Sequence, residues 1–317
     1  MRRCIFLVMT AMMPMVARAD VSVLDAAISD ARIYCLGISD ELNHLKTMAG
    51  INTAVTAVGT AAGAGATAVG IAKVGVDKEL SAYEETIAAL EEEGAQRIET
   101  DEDFAEIFGG FLIESGDPEF AQIGKLIQEQ QRLEAKSKKL GNWRTGLLAA
   151  NTVTNVAGTV IAANNKVSGD LKDQIQQCIM AVDVLSRARM QARIASDAND
   201  TEMVEYASRI VDACAQWGDV NLSSINAKAK GATISSGIGA GVGFVGTITS
   251  AIANTDKTRN DNTESGKQKE KNLNTTANVM AGGATVASGV ATVFNATQIG
   301  AIKKAAAVAD ACEGVLK

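Results

Sequence analysis

The sequence predicts an all-α fold built as two long antiparallel helical hairpins, one unit used twice. Three observations point there. Beyond the first 19 residues only one proline remains, Pro118, while alanine, glutamate, lysine and leucine are plentiful and strict alternation is rare. Four stretches carry no charge: Thr47 to Ala72, Thr145 to Asn165, Gly231 to Thr255 and Asn272 to Ile302. A pair of cysteines brackets each two of these, Cys35 and Cys178 the first two, Cys214 and Cys312 the last two.

Residues 1–19 read as a signal peptide. Arg2 and Arg3 form a basic start, Cys4 to Met13 an apolar run too short to span a bilayer, and Ala17-Arg18-Ala19 a small-x-small cleavage site. Cleavage after Ala19 removes three arginines and moves the net charge from −7 to −10. That acidic balance argues against nucleic acid as a partner. Export places the chain in the cell envelope (inner membrane or periplasm) or outside the cell. Four cysteines remain, and in an oxidising compartment two disulfides are the expectation.

The first hairpin covers residues 20–196. Tyr83, Ile87 and Leu90 continue a helical stripe that is predicted to end near Gly94. Thr100 with Asp103 resembles an N-cap, and Asp117-Pro118 starts the return helix. Cys35 lies 59 residues before Gly94 and Cys178 60 residues after Pro118, so equal arms bring the two cysteines opposite one another. The second hairpin covers 197–317. The midpoint of Cys214 and Cys312 is residue 263, inside the charged turn 256–271. Both hairpins therefore favour Cys35–Cys178 with Cys214–Cys312; Cys178–Cys214 with Cys35–Cys312 is the runner-up. Residues 171–195 and 201–216 read as a further helical pair. Asn52-Thr53, Asn151-Thr152 and Asn274-Thr275 each precede a glycine (Gly59, Gly158, Gly282) by six to eight residues, a weak repeat consistent with duplication.

The uncharged stretches carry small residues at helical spacing: Gly59, Gly63 and Gly70 in the first, Gly158 in the second, Gly239, Gly243 and Gly246 in the third, Gly282 and Gly289 in the fourth. This resembles a glycine zipper, in which small faces let helices approach closely. Glycine in a water-exposed helix costs about 1 kcal/mol relative to alanine, so something must offset it. A bilayer is one answer, since each stretch has the roughly 20 residues a span needs. A tight soluble seam is the other. Lys73, Lys78, Lys136, Lys138, Lys139 and Arg144, with Lys257, Arg259, Lys267, Lys269 and Lys271, give a modest positive-inside bias. Asn151, Asn155, Asn164, Asn165 and many threonines weigh against insertion. A strand over Gly241 to Ile248 is a minor alternative.

Between Val76 and Phe120 stand fifteen acidic residues and two basic ones. Within that arm, Phe104, Ile107, Phe108, Phe111 and Leu112 form an apolar tip at about 95–120, either a small cap or a contact site for a partner or membrane surface.

Catalytic chemistry is not expected. His44 is the only histidine, which excludes a histidine triad and a multi-histidine metal site. Asp197, Asn199 and Thr201 lack the glycine and distal glutamate of a calcium loop. Gly241, Gly243 and Gly246 spell GxGxxG without its βαβ context. No cofactor, metal or small-molecule substrate is implied, and a carboxylate hydrolase is the weakest alternative. The two functional readings are a membrane-embedded scaffold or pore-like protein that engages the membrane, a protein partner or further copies of itself, and a soluble rod that binds a partner through the acidic tip.

Overall fold

The computed structural model describes residues 22–99, 118–195, 201–259 and 263–317. The leader (1–19) and the tip residues Phe104, Ile107, Phe108, Phe111 and Leu112 lie outside the described residues. Those described are helical, with no strand among them. They form α1 (22–35), α2 (Ile38–Glu99), α3 (Pro118–Asn164), α4 (Gly169–Ala195), α5 (Thr201–Cys214), a 3₁₀ turn (Ala215–Asp219), α6 (Leu222–Ala253), the short α7 (Asp256–Arg259) and α8 (Glu264–Leu316).

Local chemistry explains most boundaries. Gly37 separates α1 from α2 with φ +90°, a left-handed conformation that glycine adopts without a Cβ penalty. Pro118 opens α3, where its missing N–H is no loss. Side-chain oxygens of Ser168, Asn221 and Thr263 accept from the backbone N–H groups of Leu171 (2.9 Å), Ser224 (3.0 Å) and Gly266 (3.0 Å), capping α4, α6 and α8. Gly94 does not end α2, which runs on to Glu99. A single glycine costs too little to stop a helix of 62 residues flanked by good helix formers. The stretch Gly241 to Ile248 lies inside α6 and is helical.

Burial along the four long helices follows one period. In α2 the buried positions include 52, 56, 59, 63, 66, 70 and 73; in α3, 141, 144, 148, 151, 155 and 158; in α6, 232, 236, 239, 243, 246 and 250; in α8, 274, 277, 281, 284, 288 and 291. Alternating steps of three and four are the heptad seam of a coiled coil. The repeated asparagines Asn52, Asn151 and Asn274 all fall on this seam.

The chain forms two compact units, and α2, α3, α6 and α8 each contribute to both. Among the described residues, the cysteine unit comprises 22–55, 158–195, 201–234 and 290–317. Its core is conventionally apolar, with Leu24, Ile38, Leu42, Leu171, Ile175, Leu185, Ile210 and Ile302 fully buried. Two cysteine pairs stand at disulfide distance inside that core: Cys35–Cys178, joining α1 to α4 (Cα–Cα 4.8 Å), and Cys214–Cys312, joining α5 to α8 (Cα–Cα 4.7 Å). These are the pairs that equal hairpin arms select.

Among the described residues, the seam unit comprises 56–99, 118–157, 235–259 and 263–289. Here α2 runs antiparallel to α3, as the contacts Gly59–Asn151 and Asp77–Ser137 show. Likewise α6 runs antiparallel to α8, with Val242 against Gly283 and Gly246 against Met280, pairs that mirror about residue 263. The hairpins also interlock. Gly63 and Gly70 of α2 face Thr285 and Asn278 of α8, while Gly239 and Gly243 of α6 face Asn155 and Thr152 of α3. The result is a closed ring of four helices, each antiparallel to both neighbours. The compact units thus cut across the two hairpins.

Candidate functional site

The interior of the seam unit is the most unusual chemistry in the described residues. Its heptad positions hold glycine, alanine, asparagine and serine where a water-soluble bundle would carry leucine and isoleucine. Three apolar side chains, Ala66, Leu148 and Ala281, form its only buried apolar cluster among the described residues.

One layer is an amide network. Asn155 Nδ2 donates to Ser288 Oγ (2.8 Å) and to the Asn151 carbonyl oxygen (2.9 Å), and Ser288 Oγ donates to Asn155 Oδ1 (3.0 Å). Asn151 Nδ2 in turn donates to the Gly59 carbonyl oxygen. This ties α2, α3 and α8 together. A buried amide costs stability when unpaired, so the pairing fixes which residues may face one another.

A second layer is built on Arg144, which is fully buried. Its guanidinium donates to Ser250 Oγ (2.9 Å), Asn278 Oδ1 (3.1 Å) and Asn274 Oδ1 (2.7 Å), linking α3 to α6 and α8. Burial pulls its pKa down, opposed by the charges of Asp77 and Glu270. Arginine holds its proton regardless.

Lys73, also fully buried, anchors a third layer. Its Nζ lies 2.7 Å from Asp77 Oδ2 and 3.6 Å from Glu270 Oε1. Ser137 Oγ donates to Asp77 Oδ1 (2.6 Å), and Asn274 Nδ2 donates to Glu270 Oε1 (3.4 Å). Burial pushes the Glu270 carboxyl above the usual range; Lys73 pulls it back and Asp77 pushes it further up. Two cations and two carboxylates therefore balance across α2, α3 and α8. The cluster can hold helices in register and exchange a proton at Glu270.

The small residues named from the sequence divide by what faces them. A Cβ at Gly63 would come within 2.5 Å of Thr285 Oγ1 and 2.6 Å of Asn151 Nδ2; at Gly59, 2.6 Å of Thr154 Oγ1; at Gly243, 2.7 Å of Thr152 Oγ1; at Gly239, 2.9 Å of Asn155 Oδ1; and at Gly246, 3.0 Å of Met280 Cβ. At Gly70 it would overlap the Asn278 amide. These glycines make room chiefly for asparagine and threonine side chains of the facing helix. Gly158 is buried, in the cysteine unit. Gly282 faces open space, and the nearest atom to Gly289 is a Thr60 methyl at 4.0 Å, so neither is a site of close approach.

The outer surface of the seam unit reverses the usual pattern. Ile71 (66% exposed), Val153 (67%), Val279 (65%) and Val286 (68%) point outward, with Val58, Ile238, Phe244, Val245 and Ile248. The threonines that share these stretches are largely satisfied by their own helix. Thr60, Thr67, Thr152, Thr247, Thr249 and Thr285 each donate to the carbonyl four residues earlier at 2.8–3.0 Å.

Lys73 and Arg144 were legible in the sequence only as charges flanking uncharged stretches, and their inward direction was missed. The signal that marks them is position. Lys73 follows Ala72 and Arg144 precedes Thr145, so antiparallel pairing brings the two charges to neighbouring levels.

Comparison with protein-family models, curated proteins and solved structures returns no match for this chain. The functional reading therefore rests on the site itself.

Proposed function

We propose that the protein is an exported, non-enzymatic helical scaffold whose four uncharged stretches cross a membrane, with the apolar core around the cysteine pairs in the aqueous phase. One contrast carries this reading. The cysteine unit buries an extended apolar core, whereas the seam unit buries amides, small residues and ions beneath exposed valine, isoleucine and phenylalanine; the contrast lies in the interiors, since large hydrophobes such as Ile33 and Ile194 are exposed on the cysteine unit too. In water the seam unit would keep its largest hydrophobes wet and gain little from collapse. In lipid the same arrangement satisfies both solvents, because small residues and interhelical amide bonds are what hold helices together there.

Among the described residues, four helices are long and apolar enough to cross a membrane by length and composition. The spans of this reading are the four uncharged stretches, with Arg144 and Glu270 just outside their ends. The objections raised by composition lose force. Asn151 and Asn155 turn inward, and the threonine hydroxyls bond to their own backbone. Asparagine side chains bridge the helices across the interior, which favours a scaffold over an open pore. The seams read as glycine zippers whose small residues admit polar side chains.

The soluble rod remains the second reading, favoured by the unbroken heptad period. Membrane fractionation separates the two. The mature protein is expected to stay in the pellet through carbonate and urea washes and to need detergent for release. Release into the wash as a detergent-free soluble protein would overturn the membrane reading.

A further inference from the structure

The two disulfides are not independent. The Sγ atoms of Cys35, Cys178 and Cys312 all lie within 4.8 Å of one another, in the buried core of the cysteine unit. Cys312 thus sits beside the Cys35–Cys178 bond although it is paired with Cys214. The adjacency is built rather than incidental. Next to these cysteines, the backbone N–H of Ser39 donates to Glu313 Oε1 (2.8 Å), and Arg32 Nε donates to the Leu316 carbonyl oxygen (3.1 Å). Both contacts hold the α1–α2 corner against the end of α8, where Cys312 lies.

We propose that Cys35, Cys178 and Cys312 form one thiol–disulfide exchange site. The step needs a single free thiol at Cys312. Its thiolate attacks Sγ of Cys178, a Cys312–Cys178 bond forms, the Cys178–Cys35 bond breaks, and the electron pair leaves on Cys35 as thiolate. Cys35 takes up the proton that Cys312 gave up, so the exchange is redox-neutral. Attack on Cys35 instead gives Cys35–Cys312 and frees Cys178. In the intact protein, a phosphine or dithiol reductant supplies the two electrons that open Cys214–Cys312 and start the exchange. Its consequence is structural. One reduction does not simply remove the α5–α8 link, because the surviving bond can move from α1–α4 to α1–α8 or α4–α8. The site is a redox-sensitive device that changes which helices are stapled while keeping one staple.

The proposal is tested with the full chain carrying Cys214→Ser, which leaves Cys312 free with no reductant present. Thiols are trapped with a maleimide at low pH after incubation at mildly alkaline pH, where thiolate is available, and the disulfides are mapped by non-reducing peptide mass spectrometry. Peptides joining Cys312 to Cys35 or Cys178 are expected, with the single free thiol shared among three positions. Cys312 labelling would then drop to roughly one third of a full equivalent if the pairings are equally stable. Recovery of Cys35–Cys178 alone, with Cys312 fully labelled, overturns the proposal. Cys312→Ser is the companion variant. It frees Cys214, which lies outside the three-sulfur group, and is expected to keep Cys35–Cys178 intact. Scrambling there would show that exchange does not depend on Cys312, and would also overturn the proposal. If Cys214→Ser fails to accumulate, the wild-type chain treated with substoichiometric phosphine gives the same readout. Foreign bonds to Cys312 support the site, and only native bonds refute it.

Discussion

Arg144 places a permanent charge in the interior of a helical bundle and satisfies it with three neutral oxygens, from Ser250, Asn274 and Asn278. Removing the guanidinium leaves those acceptors without their donor and tips the nearby cluster toward the two carboxylates. Arg144→Leu is expected to destabilise the protein by about 3 kcal/mol, read as a shift in the denaturant midpoint. Arg144→Lys should recover only part of this, because one ammonium cannot reach all three acceptors in the guanidinium's planar geometry. Glu270 gives a pH dependence of defined sign. Burial raises its folded pKa above the unfolded value of about 4.3, so the native state binds the proton more tightly. Its contribution to stability is therefore complete below the unfolded pKa and is lost as pH rises through the folded one. Unfolding midpoints across that window should fall with pH in the wild type, and Glu270→Gln should flatten the slope. An unchanged slope would assign the dependence to another group.

At the scale of the element, the glycines of a single helix differ in what they do. Gly63 and Gly75 both lie in α2, one against Thr285 and Asn151, the other in open space. Gly75→Ala should stabilise by up to about 1 kcal/mol through lower unfolded-state entropy and better helix propensity. Gly63→Ala should destabilise, because the added methyl meets Thr285 Oγ1 and lies 3.2 Å from the Thr285 Cα, which cannot move without its helix. Thermal unfolding of the two variants with opposite signs is the expected result; two shifts of the same sign would mean propensity alone governs these positions. The spacing that drew attention to Gly63 also flagged Gly282 and Gly289, which face no close neighbour. Helical spacing identifies a shared face, and only the partner helix determines which members of that face are crowded. Hairpin register was legible further than this, because cysteine spacing and the centre of the charged turn are properties of one chain folded on itself. The contacts Gly59–Asn151 and Val242–Gly283 fall where that arithmetic puts them.

For the whole molecule, two units of one chain have opposite interiors. The apolar core around the disulfides suits water, and under the proposed membrane reading the amide-lined seam beneath valine and isoleucine suits lipid. The expected retention in the membrane pellet belongs to this scale, since it depends on the combined outer surface of four helices. No single helix reveals it: each uncharged stretch is only weakly apolar on average, and averaging over the helix hides that asparagine points in while valine points out.

The sequence by itself determined helicity, the two fold-back registers and the pairs of cysteines that meet, because propensity, chain symmetry and charge-free segments are local or intrahairpin properties. Only the tertiary structure decided that the hairpins interlock into one ring, that Lys73 and Arg144 turn inward, and that a third sulfur stands beside the first disulfide. Each of these depends on the acceptor, the space or the sulfur that another helix, distant in sequence, supplies.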